Sequence, residues 1–369
     1  MLTAALVFAG LVAVSEPLSG KSTPPEPREP DRLVEQTYEP APTSAPAILA
    51  RHDFDLVRYG PRGTARLARI PPGTEDGRLW AVDDAGYPAV LYGVSQGKLF
   101  RIDASHGDLV ADLGSVDRIV GTGPGAGELV VQIGSGADST VAVMEAATGD
   151  VLDREPFPGF DGAGGWSPRG VLSRFGVPGL VLTRPAGDGR NEIAIAWSEV
   201  GLASGFVRSL LERFGRVGPL LGLADDWVLF LGGDCPSSSC RLTALSFTRR
   251  GAAMHTVRPP TGWSFIDGET GGNSHEVLVP VVKVSDDTVH ALARLVPEGD
   301  TALLLRDSIG LEPGGGVVAE PDGSVYFLRT DSLSPRTLAR WSPVDLPHIV
   351  TYPELPRLPS SARLVCVCD

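Results

Sequence analysis

The stretch Lys98-Leu-Phe-Arg-Ile-Asp-Ala-Ser-His-Gly-Asp-Leu-Val-Ala-Asp112 is answered, 42 residues on from Gly107 to Gly149, by Thr140-Val-Ala-Val-Met-Glu-Ala-Ala-Thr-Gly-Asp-Val-Leu-Asp153. Aligned on the glycines, Asp103 falls on Glu145, Ala104 on Ala146, Asp108 on Asp150 and Leu109 on Val151. Each copy reads as an apolar strand, a turn that needs glycine, and a second strand. Self-similarity at a period in the forties is the mark of a blade in a β-propeller, where each small sheet must be covered by its neighbours.

Outward from this pair the same pattern continues. Upstream, 55–59 and 64–70 read as strands joined through Gly60-Pro-Arg-Gly63, followed by 79–82, 88–92, 99–102 and 108–112. The second copy lies within 118–121, 128–133, 140–144 and 151–154, four strands in about forty residues, which is the content of one blade. Downstream, 179–183, 192–197 and 206–210 suggest another unit, although Phe206, Val207, Leu210, Leu211 and Phe214 also fit a short amphipathic helix. Three more sets follow within 219–257, 264–306 and 316–352, and 363–368 is a lone apolar strand expected to pair with the orphan strands of 55–70. The expected fold is therefore all-β, a single β-propeller of four-stranded blades, seven in number with six as the alternative, its ring closed by the N- and C-terminal strands. Runs such as Trp227-Val-Leu-Phe-Leu231 are apolar on both faces, as sheets covered on both sides require. Pro280 interrupts one such run and predicts a bulge or an edge there.

Ahead of this body the composition changes twice. Residues 2–14 are an almost unbroken apolar run. As a helix it would cover roughly 20 Å, short of a hydrocarbon core near ~30 Å, and no basic residue precedes it. The expectation is a hydrophobic signal or anchor segment over 1–15, either the rear of a longer membrane helix or a signal core with Ala13-Val14-Ser15 as a weak cleavage site; the rival is a buried strand of a soluble fold. Eight prolines from Pro17 to Pro46 make 16–47 a disordered, extended linker, which leaves 48–369 as the propeller. Signal or anchor, stalk and body together predict a bacterial extracytoplasmic domain, membrane-anchored or secreted. Ser15 to Ser22 approaches a phosphate-binding loop, but the prolines after it forbid the helix such a loop must open.

A net charge of -13 leaves no electrostatic footprint for nucleic acid, which is not expected as a partner. Cys235 and Cys240 bracket Pro-Ser-Ser-Ser at the tip of an expected hairpin. A disulfide between them, stabilising by roughly 2 kcal/mol in the chain-entropy model, is preferred over free thiols and over zinc, since Cys-x4-Cys supplies two ligands only. Cys366 and Cys368 share one face of a strand, where a bond to each other would be strained, and their state is left open.

The repeat at 100–109 and 142–151 resembles the blade motif of the pyrroloquinoline-quinone-type (quinoprotein-like) propellers, in which a strand, an Asp-Ala-x-Thr-Gly turn and an outer strand recur. Glu145-Ala-Ala-Thr-Gly-Asp150 is the closer match and Asp103-Ala-Ser-His-Gly-Asp108 the looser. The resemblance implies a fold shared by enzymes and cofactor-free scaffolds. Here the tryptophan usual after the turn glycine is missing and no adjacent Cys-Cys pair exists, so no quinone or other cofactor is expected.

No catalytic or metal-binding set stands out. His52, His106, His255, His275, His290 and His348 are scattered without metal spacing, and Ser274-His275-Glu276 has no nucleophile elbow beside it. Asp83-Asp84, Asp225-Asp226 and Asp286-Asp287 occupy turn positions where Asp bonds backbone amides. Gly121 to Gly127 lacks the dinucleotide-binding order and reads as a hairpin loop. Of the six tryptophans, Trp166 and Trp263 sit in glycine-rich stretches and are expected to be exposed. The functional expectation is a monomeric, non-catalytic binding, sensing or scaffold module for an unknown protein, glycan or small ligand. The alternative is a hydrolase or lyase with its site in the central funnel, and a third idea is an assembly factor offering blade edges. Histidine with Asp or Arg around the axis would favour the enzyme, and a dry or merely acidic channel the module.

Overall fold

The computed structural model describes residues 46–74, 79–84, 87–103, 107–123, 127–134, 139–156, 165–174, 177–187, 190–197, 211–224, 227–232, 240–248, 251–272, 276–296, 299–312, 314–320, 323–331, 334–343, 349–352, 355 and 358–368. They form seven antiparallel sheets, each of at least four strands. Blade one is composite: Arg363–Cys368, Ala47–His52, Asp55–Gly60 and Gly63–Arg69, in that order from the axis outward. Blade two opens with Trp80–Asp84, blade three with Arg118–Thr122, blade four with Ser167–Arg174, blade five with Leu220–Ala224, blade six with Trp263–Phe265 and Gly271–Gly272, and blade seven with Val317–Ala319. The opening strand of each blade touches that of the next, all the way round and back to Arg363–Cys368.

The doubly apolar strands are explained by seven hydrophobic clusters, one in each seam between neighbouring blades. In Glu128–Ile133, Leu129 and Val131 face blade two while Val130 faces blade four. In Trp227–Leu231, Trp227 and Leu229 turn toward blade six, and Val228 and Phe230 toward blade four. Each strand thus serves two cores at a period of two, and a buried Val, Leu or Phe contributes roughly 1.5–3 kcal/mol in either.

The repeat that identifies the fold is one geometry used twice. Gly107 and Gly149 both have φ near +78°, and their N–H groups donate to the carbonyls of Asp103 at 2.7 Å and Glu145 at 2.8 Å. A side chain at either glycine would overlap a backbone carbonyl on the outer rim of the preceding blade, Leu67 for the first copy and Leu113 for the second. Thr148 Oγ1 donates to the Glu145 carboxylate at 2.7 Å, while Ala104 to His106 lie outside the described residues.

Closure follows the expected plan with one correction. The C-terminal strand pairs with Ala47–His52, a strand the sequence pattern hides, and this strand in turn pairs with Asp55–Gly60. Leu364 N–H donates to the Gly315 carbonyl at 2.7 Å, stitching blade seven to blade one. Arg336 binds Glu312 and donates to the carbonyl oxygens of Pro359 and Ala362, fixing the approach to the last strand.

Four other expectations change. The outer strand of blade four is Leu211–Val217, so the alternative helix fails over its last four positions; 206–210 lie outside the described residues. Gly121 belongs to an innermost strand and is buried, not part of a loop. Trp166 and Trp263 are each only 8% exposed: Trp166 packs in the seam of blades three and four beneath the Arg184 guanidinium, 4.7 Å from its ring, and Trp263 opens a strand. Pro280 keeps its place in the ladder opposite Leu292 and breaks the neighbouring strand instead. Its carbonyl accepts from Ile266 N–H, so the edge where its own N–H is missing faces the innermost strand, which leaves the sheet between Phe265 and Gly271.

Candidate functional site

The innermost strands enclose an axial channel of about 390 Å³, to which every blade contributes. These strands are kept close by small residues. A Cβ at Gly170 would overlap Leu223 of blade five and one at Gly222 would overlap Thr270 of blade six, while one at Gly121, Gly271 or Gly316 would stand 3.1, 3.3 or 2.9 Å from Val171, Val317 or the Leu364 carbonyl oxygen. At Gly121, Gly170 and Gly222 the strand also carries a bulge, where its pairing register shifts.

Charge enters the channel at four lining positions: Arg51, Arg169, Arg363 and Glu269. Glu269 is there because of Pro280. The segment released from the sheet opposite that proline carries Gly268, Glu269 and Thr270 to the axis, and a Cβ at Gly268 would sit 2.8 Å from the Pro280 ring. Glu269 then joins three blades: Oε2 accepts Val317 N–H of blade seven at 2.7 Å, and Oε1 pairs with Arg363 of blade one.

Arg51 and Arg363 stand directly opposite one another on adjacent strands. Like charges so placed repel. Burial lowers the Arg51 pKa below the usual guanidinium value, the Arg363 charge lowers it further, and Asp53 works against both. Arg51 Nε donates to the Asp53 carbonyl at 2.8 Å, within a turn where Asp53 takes φ of +53°. Arg169 extends from the bulge of blade four, exposed, with Nε donating to Thr183 Oγ1 at 2.8 Å. Leu79 and Trp80 supply part of the apolar wall.

Among the described residues no histidine lines the channel, and its charged lining is mainly basic, not merely acidic. Three guanidiniums face one carboxylate. Of the histidines, His52 lies beside Asp53, His290 rests on the Thr288 carbonyl, and His255 packs on Trp227; His106, His275 and His348 lie outside the described residues. Asp286 bonds the Thr288 amide and hydroxyl, as a turn residue should, and these bonds lower its pKa. No group of three or more His, Cys, Asp or Glu side chains converges among the described residues. Cys240 is buried and Cys235 lies outside the described residues, while Cys366 is buried in the seam of blades one and two. No helix among the described residues is long and apolar enough to cross a membrane.

No family model matches the sequence, and no curated protein is similar to it. Solved structures are similar in fold. A puromycin-hydrolysing peptidase of Mycobacterium tuberculosis is 13% identical over 87% of this chain and 56% of its own, with a TM-score of 0.50. A prolyl endopeptidase is 14% identical over 86% of this chain and 50% of its own, at 0.48. TolB from Acinetobacter baumannii is 13% identical over 69% and 61%, at 0.42. The chain thus spans between half and three-fifths of the length of these proteins, and at such identities the likeness is one of fold alone.

Proposed function

We propose that this chain is a ligand-binding or sensing propeller displayed outside the bacterial cytoplasm, tethered through its N-terminal segment or secreted, with the axial channel as its site. The observation that carries the reading is the channel itself: all seven blades line it, and its charged groups are guanidiniums and one already bonded carboxylate. Such groups bind and orient, and among the described channel residues no hydroxyl or thiol nucleophile is joined to a base. The apolar run of 2–14 and the proline-rich 16–47 support the location. A Cys235–Cys240 disulfide is part of the same proposal, because an oxidising compartment would preserve it. Descent from quinoprotein-like propellers without their cofactor is supported by the matched turns at Gly107 and Gly149. The peptidase likenesses favour the hydrolase alternative only as far as a shared fold can.

The test is capture from native membranes with the full chain as bait, comparing wild type with Thr122→Trp, which fills the channel from blade three. A molecule held by the wild type, lost with the variant and recovered chemically unchanged supports the reading. Equal capture by both, or recovery of the molecule as a cleavage product, overturns it.

A further inference from the structure

We propose that the channel recognises a small organic anion, its carboxylate or phosphate group gripped by Arg51 and Arg169 across the axis; this rests on the channel being the binding site. Three observations converge. The chain as a whole carries -13, yet the lining side chains bring three positive charges against one negative, so charge is inverted where the blades meet. Arg51 and Arg363 are directly opposed across a strand pair, a concentration of positive charge that favours an anion beside them. Glu269 shows how a carboxylate is held at this wall, by one guanidinium and one backbone N–H, the kind of charge-assisted contact that a ligand's carboxylate or phosphate would make with Arg51 and Arg169.

Arg169 has the spare capacity. Its Nε is committed to Thr183, and among the described residues its two terminal nitrogens have no partner, which leaves a planar fork suited to two oxygens of one group. Blade four lies three places round the ring from blade one, so Arg169 approaches from the wall facing Arg51. A volume of about 390 Å³ suits a small molecule rather than a peptide, and Leu79, Trp80, Val120 and Val171 offer its body an apolar surface.

Isothermal titration of the full chain with inorganic phosphate, with succinate and with uncharged glucose tests this. Expected are saturable binding of at least one of the two anions, no heat with glucose, and affinity that falls as salt rises. Arg169→Gln should weaken binding about tenfold, the loss of one charge-assisted fork, while the protein stays folded, because that side chain is exposed. Glu269→Gln keeps an acceptor for Val317 N–H and removes the competing charge, so it should tighten binding several-fold, whereas a purely structural Glu269 would leave affinity unchanged. A preference for phosphate or for succinate tells which oxyanion the native ligand carries. Absence of saturable binding to either anion, or equal affinity in wild type and Arg169→Gln, overturns the proposal. If the anions fail while Thr122→Trp still abolishes capture from membranes, the channel remains the site and only its charge preference falls.

Discussion

Replacing Gly149 by Ala tests how the blades are joined, provided it is read against Gly127→Ala. The two glycines share a left-handed backbone, with φ of +78° and +72°. Alanine in that region costs about 1–2 kcal/mol at either site. The surroundings differ. A Cβ at Gly127 meets nothing within 4 Å, whereas one at Gly149 overlaps the Leu113 carbonyl on blade two, a backbone atom that cannot rotate aside. Overpacking of this kind adds roughly 1–3 kcal/mol, giving about 2–5 kcal/mol for Gly149→Ala and about 1–2 for Gly127→Ala. For a body of this size 1 kcal/mol corresponds to about 1.5 °C in Tm, so the shifts separate into roughly 2–3 °C and roughly 3–8 °C. Thermal unfolding of the full chain, followed by far-ultraviolet circular dichroism and by tryptophan fluorescence, measures both. Gly107→Ala should behave like Gly149→Ala, because its Cβ would overlap the Leu67 carbonyl in the equivalent way. Equal losses at 127 and 149 would refute the argument, since backbone conformation alone would then account for the turn glycine.

Three further outcomes are expected. Deleting 363–368 removes the innermost strand of blade one and exposes Leu49, Ile48 and the seam around Tyr352, so cooperative melting and resistance to limited proteolysis should both be lost; a truncated chain that melts like the wild type would show that the ring is not closed there. His255 has its pKa lowered by burial against Trp227, and its Nε2 is buried without a hydrogen bond. The unfolded chain therefore binds the proton more readily, and the stability owed to the neutral ring is full above pH about 6.5 and is lost as pH falls through the lower folded value; His255→Phe should flatten that part of a Tm-against-pH curve. Non-reducing peptide mapping of the protein from its native host should find Cys235 joined to Cys240, while Cys366 stays unmodified by iodoacetamide until the chain is unfolded.

What could be read from the sequence was whatever carries two apolar faces. The middle strands, Glu128–Ile133, Trp227–Leu231 and Val277–Lys283, announce themselves because each supplies two seams, and the turns announce themselves through glycine. The innermost strand of blade four does not. Ser167–Arg174 contains Pro168, Arg169 and Gly170 because one edge lines an open channel and its glycine must admit the neighbouring strand, so it carries no alternating apolar signal. Ala47–His52 lies between the proline-rich linker and the strand read at 55–59 and gave no strand signal of its own, and the inner strand of blade six is split by a proline lying elsewhere in the chain. The charged groups of the site, Arg51, Arg169, Glu269 and Arg363, sit on or beside these strands, and only the three-dimensional ring brings them together. Trp166 misled for a related reason: its glycine-rich context looks like a loop, yet Arg184 caps the ring and closes it off from water.

The glycines of the innermost strands give the ring a grammar of succession. Gly121 accepts a valine, Gly170 a leucine, Gly222 a threonine and Gly271 a valine, and each socket is cut for the blade that follows it. Exchanging blades four and five would present the wrong plug to three sockets, whereas cutting the circle at a hairpin tip and joining the old ends would leave every plug in place. Order around the axis is thus written into the protein, but the choice of which blade is made first is not.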